Sequence, residues 1–180
     1  MYYSTTYPSP VGIITLACDD GKNLVGLWLD EQKYHGDTIP EAMVERGDMP
    51  IFNAAKKWLD RYFAGEKPDI FELPLAPIGG EFRQGVWNIL CEISYGEVIT
   101  YGDIAKKMAT RMGKKSMSSQ AVGGAVGHNP ISIIIPCHRV VGSNGSLTGY
   151  AGGLKTKIKL LELEGVNMSR LFLPKKGTAL

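Results

Sequence analysis

Residues 67–80, KPDIFELPLAPIGG, hold three prolines and two glycines and carry no helical period. Proline lacks a backbone donor and glycine resists ordering, so neither a helix nor a central strand is expected to run through the stretch. The chain should therefore fold as two lobes, 1–80 and 81–180, with a linker at about 67–80. Charge divides at the same place. Residues 1–80 carry 7 Lys/Arg against 12 Asp/Glu, a net of −5, and residues 81–180 carry 13 against 6, a net of +7. The second lobe is the one suited to a polyanionic partner.

In the acidic lobe, VGIITLACDDGKNLVGLWLD reads as two strands around a turn at Asp20 and Gly21. IFNAAKKWLDRYFAGE places Phe52, Ala55, Leu59 and Tyr62 at helical spacing and stops near Gly65. No basic leader with an apolar run opens the chain, and no segment approaches the ~20 apolar residues of a membrane span. The expectation is a cytoplasmic protein that does not engage a membrane. Cys18, Cys91 and Cys137 form no C-x-x-C pair, and His35, His128 and His138 lack paired ligand spacing. No disulfide framework, metal or cofactor is expected.

The basic lobe is richer in helix signals. EFRQGVWNILCEI puts Phe82, Val86, Ile89, Leu90 and Ile93 on one face of a core helix, where Cys91 reads as packing. Thr100, with Asp103 three residues on, forms a capping-box pattern that starts a short helix at Tyr101. Lys106, Lys107, Arg111, Lys114 and Lys115 then bring five cations into ten residues with no acid among them. SMSSQAVGGAVGHNP follows as a capped helix with three glycines, each costing about 1 kcal/mol relative to alanine. Val122 and Val126 can face the core, leaving Ala121, Gly124, Ala125 and His128 as a nearly bare surface. Such a surface suits either tight helix packing or close approach of a ligand. A core helix, a short helix, a turn and a second helix beside five cations is a helix-turn-helix arrangement and favours DNA.

The segment ISIII, residues 131–135, has the length and β-branched content of a buried strand, with Cys137 at its exit after Pro136. A buried cysteine is ordinarily packing. Here His138 and Arg139 follow at once, and cationic or basic neighbours raise the thiolate fraction, which points to a nucleophile. A nucleophile needs a base and the base an orienter. Glu164, at the end of the helix in LKTKIKLLELEG, stands where the helix dipole disfavours a carboxylate, and is a candidate. It reads equally as an exposed glutamate in a turn.

With these residues in place, IPCHRVVGSNGSLTGYAGGLKTK, LLELEG, YGEVITYGDIA and AVGGAVGHNP closely resemble the O6-alkylguanine-DNA alkyltransferases, or methylated-DNA–[protein]-cysteine S-methyltransferases, over roughly residues 82–165. The resemblance implies an α+β protein. A ribonuclease-H-like amino-terminal lobe precedes a mainly helical lobe with a winged helix-turn-helix-like motif. It implies an enzyme that repairs DNA once per molecule. Cys137 would take the alkyl group from O6 of guanine in one in-line displacement, His138 would activate it through a water, and Glu164 would orient His138. Asn129 would brace the turns around the site. Tyr101 would help rotate the nucleotide out of the duplex and hydrogen-bond the base. Tyr150 and the main chain of Val140 and Ala151 would wall the guanine pocket. The glycine-rich helix, with Gln120, Ala121, Gly124 and Ala125, would dock in the minor groove.

Three features depart from that pattern. Gln120 stands where the family commonly has an arginine that fills the base stack, and Ala151 where many members have serine. The loop between the two helices is longer and holds Arg111, Lys114 and Lys115, which are expected to contact phosphates. The partner expected is double-stranded DNA containing O6-alkylguanine, with O4-alkylthymine left open, and the assembly state expected is a monomer. Two other readings stay in view. A non-catalytic sensor of alkylated bases is opposed by Cys137, and a Cys-His hydrolase leaves the charge split and the helix-turn-helix without a purpose.

Overall fold

β-branched and aromatic residues recur through the first thirty positions, and they build the sheet of the first unit in a computed structural model that describes residues 1–20 and 22–174. Strands β1 (Tyr2–Ser9), β2 (Gly12–Cys18) and β3 (Leu24–Leu29) run antiparallel, and β4 (Met43–Glu45) pairs parallel to β1, in the order β3-β2-β1-β4. The expected β2–β3 hairpin forms. Its Gly21 lies outside the described residues, while Asp19 closes the turn by accepting from Asn23 N at 2.8 Å and from Asn23 Nδ2 at 2.8 Å. Helix α1 (Pro50–Phe63) packs on β1, β2 and β3 through Ile51, Phe52, Ala55, Trp58, Leu59 and Tyr62, the face its spacing predicts. Asp60 accepts from the Tyr7 hydroxyl at 2.6 Å and ties that helix to β1.

Residues 67–80 carry more order than a plain linker. Asp69 caps a single 3₁₀ turn at Ile70–Glu72, after which Pro74 O and Ala76 N bond the backbone of Leu24. The stretch thus satisfies backbone groups on the edge of β3, which a sheet edge must do one way or another.

The first unit comprises Met1–Gly79 together with Pro130–Ile134, and the second comprises Gly80–Asn129 and the chain from Ile135 onward. Pro130–Ile134 is not the strand that its composition suggests. Leu27 N donates to Pro130 O and Ser132 N to Leu27 O, giving one isolated bridge at Ile131. Ser132 O then accepts from Ile134 N at 2.8 Å across Ile133, whose φ is +71°. That is a three-residue turn of the strained, positive-φ kind, seldom adopted by a β-branched residue. Burial of Ile131, Ile133, Ile134 and Ile135 on every side, rather than alternation, is what their run of isoleucines encoded.

In the second unit α2 (Glu81–Leu90), α3 (Tyr101–Arg111) and α4 (Ser119–Gly127) pack on one another. The Thr100–Asp103 capping box starts α3 as expected. Ser118 caps α4 through Ala121 N, and Trp87 Nε1 on α2 donates to Ala125 O at 2.9 Å. Packing of this kind is what keeps a helix so rich in glycine folded. Short strands β5 (Ile99–Thr100) and β6 (Val140–Val141) pair in parallel. Helix α5 (Leu154–Leu163) is anchored by Leu161 against Val141 and Leu147. Among the described residues, no helix is long and apolar enough to cross a membrane.

Candidate active site

Cys137 opens a 3₁₀ turn, Cys137–Arg139, directly after Pro136. Its own N–H donates to Ile135 O at 2.8 Å across Pro136, a second three-residue turn. The same carbonyl accepts from Asn129 Nδ2 at 2.8 Å. Two donors on one carbonyl fix the backbone entering the cysteine, so Asn129 braces the turn from the end of α4. Cys137 is buried, 4% exposed.

His138 is wholly enclosed, and its Nε2 lies 2.6 Å from Glu164 Oε2. A carboxylate only accepts, so Nε2 carries the proton and Nδ1 is left with a lone pair. No protein atom among the described residues bonds that Nδ1. Burial lowers the His138 pKa against the pull of Glu164, so the ring is neutral at pH 7.

Glu164 is the C-cap residue of α5, with its side chain turned inward. Its second oxygen accepts from Arg139 Nε at 2.6 Å, and Arg139 Nη1 donates to Ile93 O at 2.7 Å. Burial alone would push the Glu164 carboxyl up, but its hydrogen bonds and charge interactions with His138 and Arg139 outweigh that and hold it at about 2. His138 and Arg139 together therefore keep the carboxylate ionised.

Tyr101, at the first position of α3, directs its hydroxyl to the carbonyls of Gly149 and Thr148 at 3.3 and 3.4 Å. Burial, helped by Cys137, keeps the phenol protonated. Tyr150 is half-buried and presents its ring edge-on to His138, with centroids 6.5 Å apart. Ala151 is half-buried, and Val140 is buried at the start of β6. Lys157 reaches the same place from α5: its Nζ donates to Val140 O at 2.5 Å, Thr148 O at 2.9 Å and Gly149 O at 3.4 Å. Cys137, His138, Glu164, Asn129, Tyr101, Val140, Tyr150 and Ala151 all belong to the second unit. A thiol, a neutral imidazole with an open nitrogen and an orienting carboxylate are the parts of an activated nucleophile.

Arg139 and Lys157 were not expected to be part of the site. Arg139 reads from the sequence only as a cation beside the thiol. Lys157 had a signal that goes unused in a charge count: it falls three or four residues from Leu154, Leu160 and Leu161, on the apolar stripe of α5.

On α4, Gln120, Ala121 and Gly124 are exposed. Ala125 is not on that bare surface: it is 3% exposed and accepts from Trp87, because its rotation about the helix axis places it with Val122 and Val126. Arg111 is exposed but held by Glu92, its Nη2 lying 2.8 and 2.9 Å from the two carboxylate oxygens. Lys114 and Lys115 instead join Lys106, Ser116 and Ser119 around a cleft of about 470 Å³. No cluster of three or more His, Cys, Asp or Glu side chains that could hold a metal occurs among the described residues.

Residues 1–77 match the family model "6-O-methylguanine DNA methyltransferase, ribonuclease-like domain", and residues 81–166 match "6-O-methylguanine DNA methyltransferase, DNA binding domain". The methylated-DNA–protein-cysteine methyltransferase of Methanosarcina acetivorans is 46% identical, over 92% of this chain and 99% of the relative. That of Haemophilus influenzae is 41% identical, over 91% and 87%. The crystal structure of Mycobacterium tuberculosis OGT in complex with DNA superposes with a TM-score of 0.75 at 40% identity, covering 94% of each chain.

Proposed function

Since the chain belongs to the 6-O-methylguanine DNA methyltransferase family, enzymes that repair DNA by alkyl transfer, we propose that Cys137 is the acceptor and O6-alkylguanine the donor. The observation that carries this reading is the buried His138–Glu164 pair, with His138 directly after Cys137 in the chain, in which His138 Nδ1 is the one ring nitrogen left to take a proton. His138 accepts the thiol proton through a water. The sulfur attacks the alkyl carbon, the C–O6 bond breaks, and its electron pair passes to the guanine, which is then protonated. The product is a thioether on Cys137. Nothing in the site can remove a methyl from sulfur, so each molecule acts once.

A thiol set in a buried turn cannot reach a base inside a duplex, so the nucleotide must swing out, at a cost of a few kcal/mol. Tyr101 assists at the start of α3, while Tyr150 and the main chain of Val140 and Ala151 receive the base. The exposed Gln120, Ala121 and Gly124 let α4 approach the minor groove closely, and phosphate contacts help offset the extrusion. In place of a stack-filling arginine, the Gln120 amide hydrogen-bonds the orphaned base. The protein works as a monomer.

Incubation with a duplex carrying O6-methylguanine should add one methyl, and no more than one equivalent, to the peptide containing Cys137, as read by mass spectrometry. Binding without a mass change would instead identify a sensor. Turnover of a thioester without methyl uptake would identify a hydrolase.

Lys106, Lys114 and Lys115 line one cleft, whereas Arg111 is paired with Glu92. Replacing all three by alanine should reduce the slope of log affinity against log salt by about three, roughly one per lost phosphate contact. Arg111→Ala should leave the slope nearly unchanged, because Glu92 already neutralises that guanidinium. Titrations of undamaged duplex at several salt concentrations measure both, and an equal loss from Arg111→Ala would refute the distinction.

A further inference from the structure

Gln32 is buried in the turn that follows β3, and its side-chain oxygen serves two buried donors. Leu29 N donates to Oε1 at 3.0 Å and Ser132 Oγ at 3.1 Å. The first bond closes the turn, together with Gln32 N donating to Leu29 O at 3.1 Å. The second joins residues 100 positions apart and ends on a hydroxyl that is only 1% exposed. A polar pair loses its hydration on burial, so it serves where a segment has to be held in one arrangement. Ser132 lies in such a segment. Its N–H donates to Leu27 O, and its own carbonyl accepts from Ile134 N across Ile133, at φ +71°. A β-branched residue stays in that region only when the bonds around it over-determine the backbone. Leu27 and Gln32 supply those bonds.

The chain leaves this segment directly into the reaction centre. Asn129 precedes Pro130, and Ile135 follows Ile134. The carbonyl of Ile135 accepts from Asn129 Nδ2 and from Cys137 N, each at 2.8 Å. One three-residue turn is centred on Ile133 and the next on Pro136, so the backbone between Ser132 and Cys137 has little slack with which to absorb a shift. We propose that Gln32 is a positioning residue for the transfer: through Ser132 it holds Pro130–Ile134 in its turn and so fixes the place from which the Cys137 sulfur attacks. The proposal rests on Cys137 being the acceptor. Gln32 acts through Ser132 and not on the sulfur itself. In-line displacement at an alkyl carbon is sensitive to such placement, since a misplacement of about 1 Å can cost roughly 10²-fold in rate.

The test uses the whole chain at a temperature where every variant is folded. Gln32→Leu removes the acceptor, Gln32→Glu keeps an oxygen for both donors, and Ser132→Ala removes one hydroxyl while leaving the Leu29 bond in place. A fourth variant combines Gln32→Leu with Ser132→Ala. The readouts are the limiting single-turnover rate of methyl uptake from an O6-methylguanine duplex, the protein concentration giving half that rate, and the rate at which iodoacetamide alkylates Cys137 without DNA. In Gln32→Leu the limiting rate should fall at least about tenfold with half-saturation unchanged, because the sulfur is misplaced while the duplex is held as before. Ser132→Ala should lose about threefold or more, and Gln32→Glu should recover most of the wild-type rate. The double variant should be no slower than Gln32→Leu alone, since one bond cannot be lost twice. Iodoacetamide needs only access, so its rate at the buried Cys137 should rise about threefold or more in Gln32→Leu as the frame loosens. A wild-type limiting rate in Gln32→Leu, a change confined to half-saturation, or a double-variant loss equal to the product of the single losses overturns the proposal. Should Gln32→Leu fail to fold, the limiting rate of Ser132→Ala decides alone. Absence of methyl uptake by the wild type would instead overturn the acceptor assignment, and the iodoacetamide rates would still judge whether Gln32 fixes Cys137.

Discussion

Cys137→Ser should lose methyl transfer by roughly 10⁴-fold or more while still binding duplex DNA with wild-type affinity. Sulfur and oxygen differ little in size, so a buried residue at the head of a 3₁₀ turn can be exchanged without disturbing its frame. The Asn129 and Cys137 N–H bonds to Ile135 O involve no sulfur and survive the exchange. What changes is the nucleophile. A hydroxyl is not ionised by a neutral imidazole to any useful extent, and nothing else in the site compensates. The variant should therefore hold an O6-methylguanine duplex without altering it. Counting the O6-methylguanine that remains after long incubation decides the matter, and repair by the serine variant at a rate near wild type would remove Cys137 from its role.

Glu164→Gln should be nearly as damaging, for a different reason. The carboxylate serves two buried donors, His138 Nε2 and Arg139 Nε, each at 2.6 Å. Removing its charge strands a guanidinium that is only 8% exposed, and loss of one partner from a buried pair typically costs about 3–5 kcal/mol. For a chain of this size that corresponds to a Tm lower by roughly 6–20 °C. An amide can also turn its NH₂ toward Nε2, which moves the imidazole proton to Nδ1 and abolishes the base, so transfer should fall by about 10²-fold or more. Thermal unfolding and single-turnover transfer rates measure the two effects. A variant with wild-type Tm would mean that the ion pair contributes nothing.

The same group predicts an acid limb in the wild type. Its folded pKa of about 2 lies below the ordinary glutamate value of about 4.3, so the folded state binds fewer protons than the unfolded state between those values. Its contribution to stability is complete above about pH 4.3 and is lost as the pH falls through about 2. In Glu164→Gln that part of the acid limb should be missing.

Much of this was visible in the order of residues. The face of α1 follows from Phe52, Ala55, Leu59 and Tyr62, and the start of α3 follows from Thr100 and Asp103, because a helix repeats locally and its cap lies within one turn. Ile131–Ile135 shows where such local logic fails. β-branched content says that the residues are buried, but the backbone bonds to Leu27 and the positive φ of Ile133 follow from where neighbouring chain offers partners. The expectation of Ala125 on the bare surface overlooks that it follows Val122 by three residues, which turns it to the buried side where Trp87 meets its carbonyl. Arg111 looked like a free cation until Glu92, 19 residues away, was seen to hold it.

The sequence by itself determined the excess of positive charge after residue 80, the glycine-rich second helix, and the adjacency of Cys137, His138 and Arg139, but not that Pro130–Ile134 joins the first unit. Each feature determined in this way is a property of neighbours along the chain. Only the tertiary structure decided that Glu164 meets both His138 and Arg139, that Nδ1 is the nitrogen left open, and that Lys157 points inward. Those facts depend on α5 packing against β6 and the 3₁₀ turn, which brings together side chains 17 to 26 residues apart. No periodicity encodes such a meeting, because the free energy that selects it comes from burying α5 as a whole rather than from any one residue.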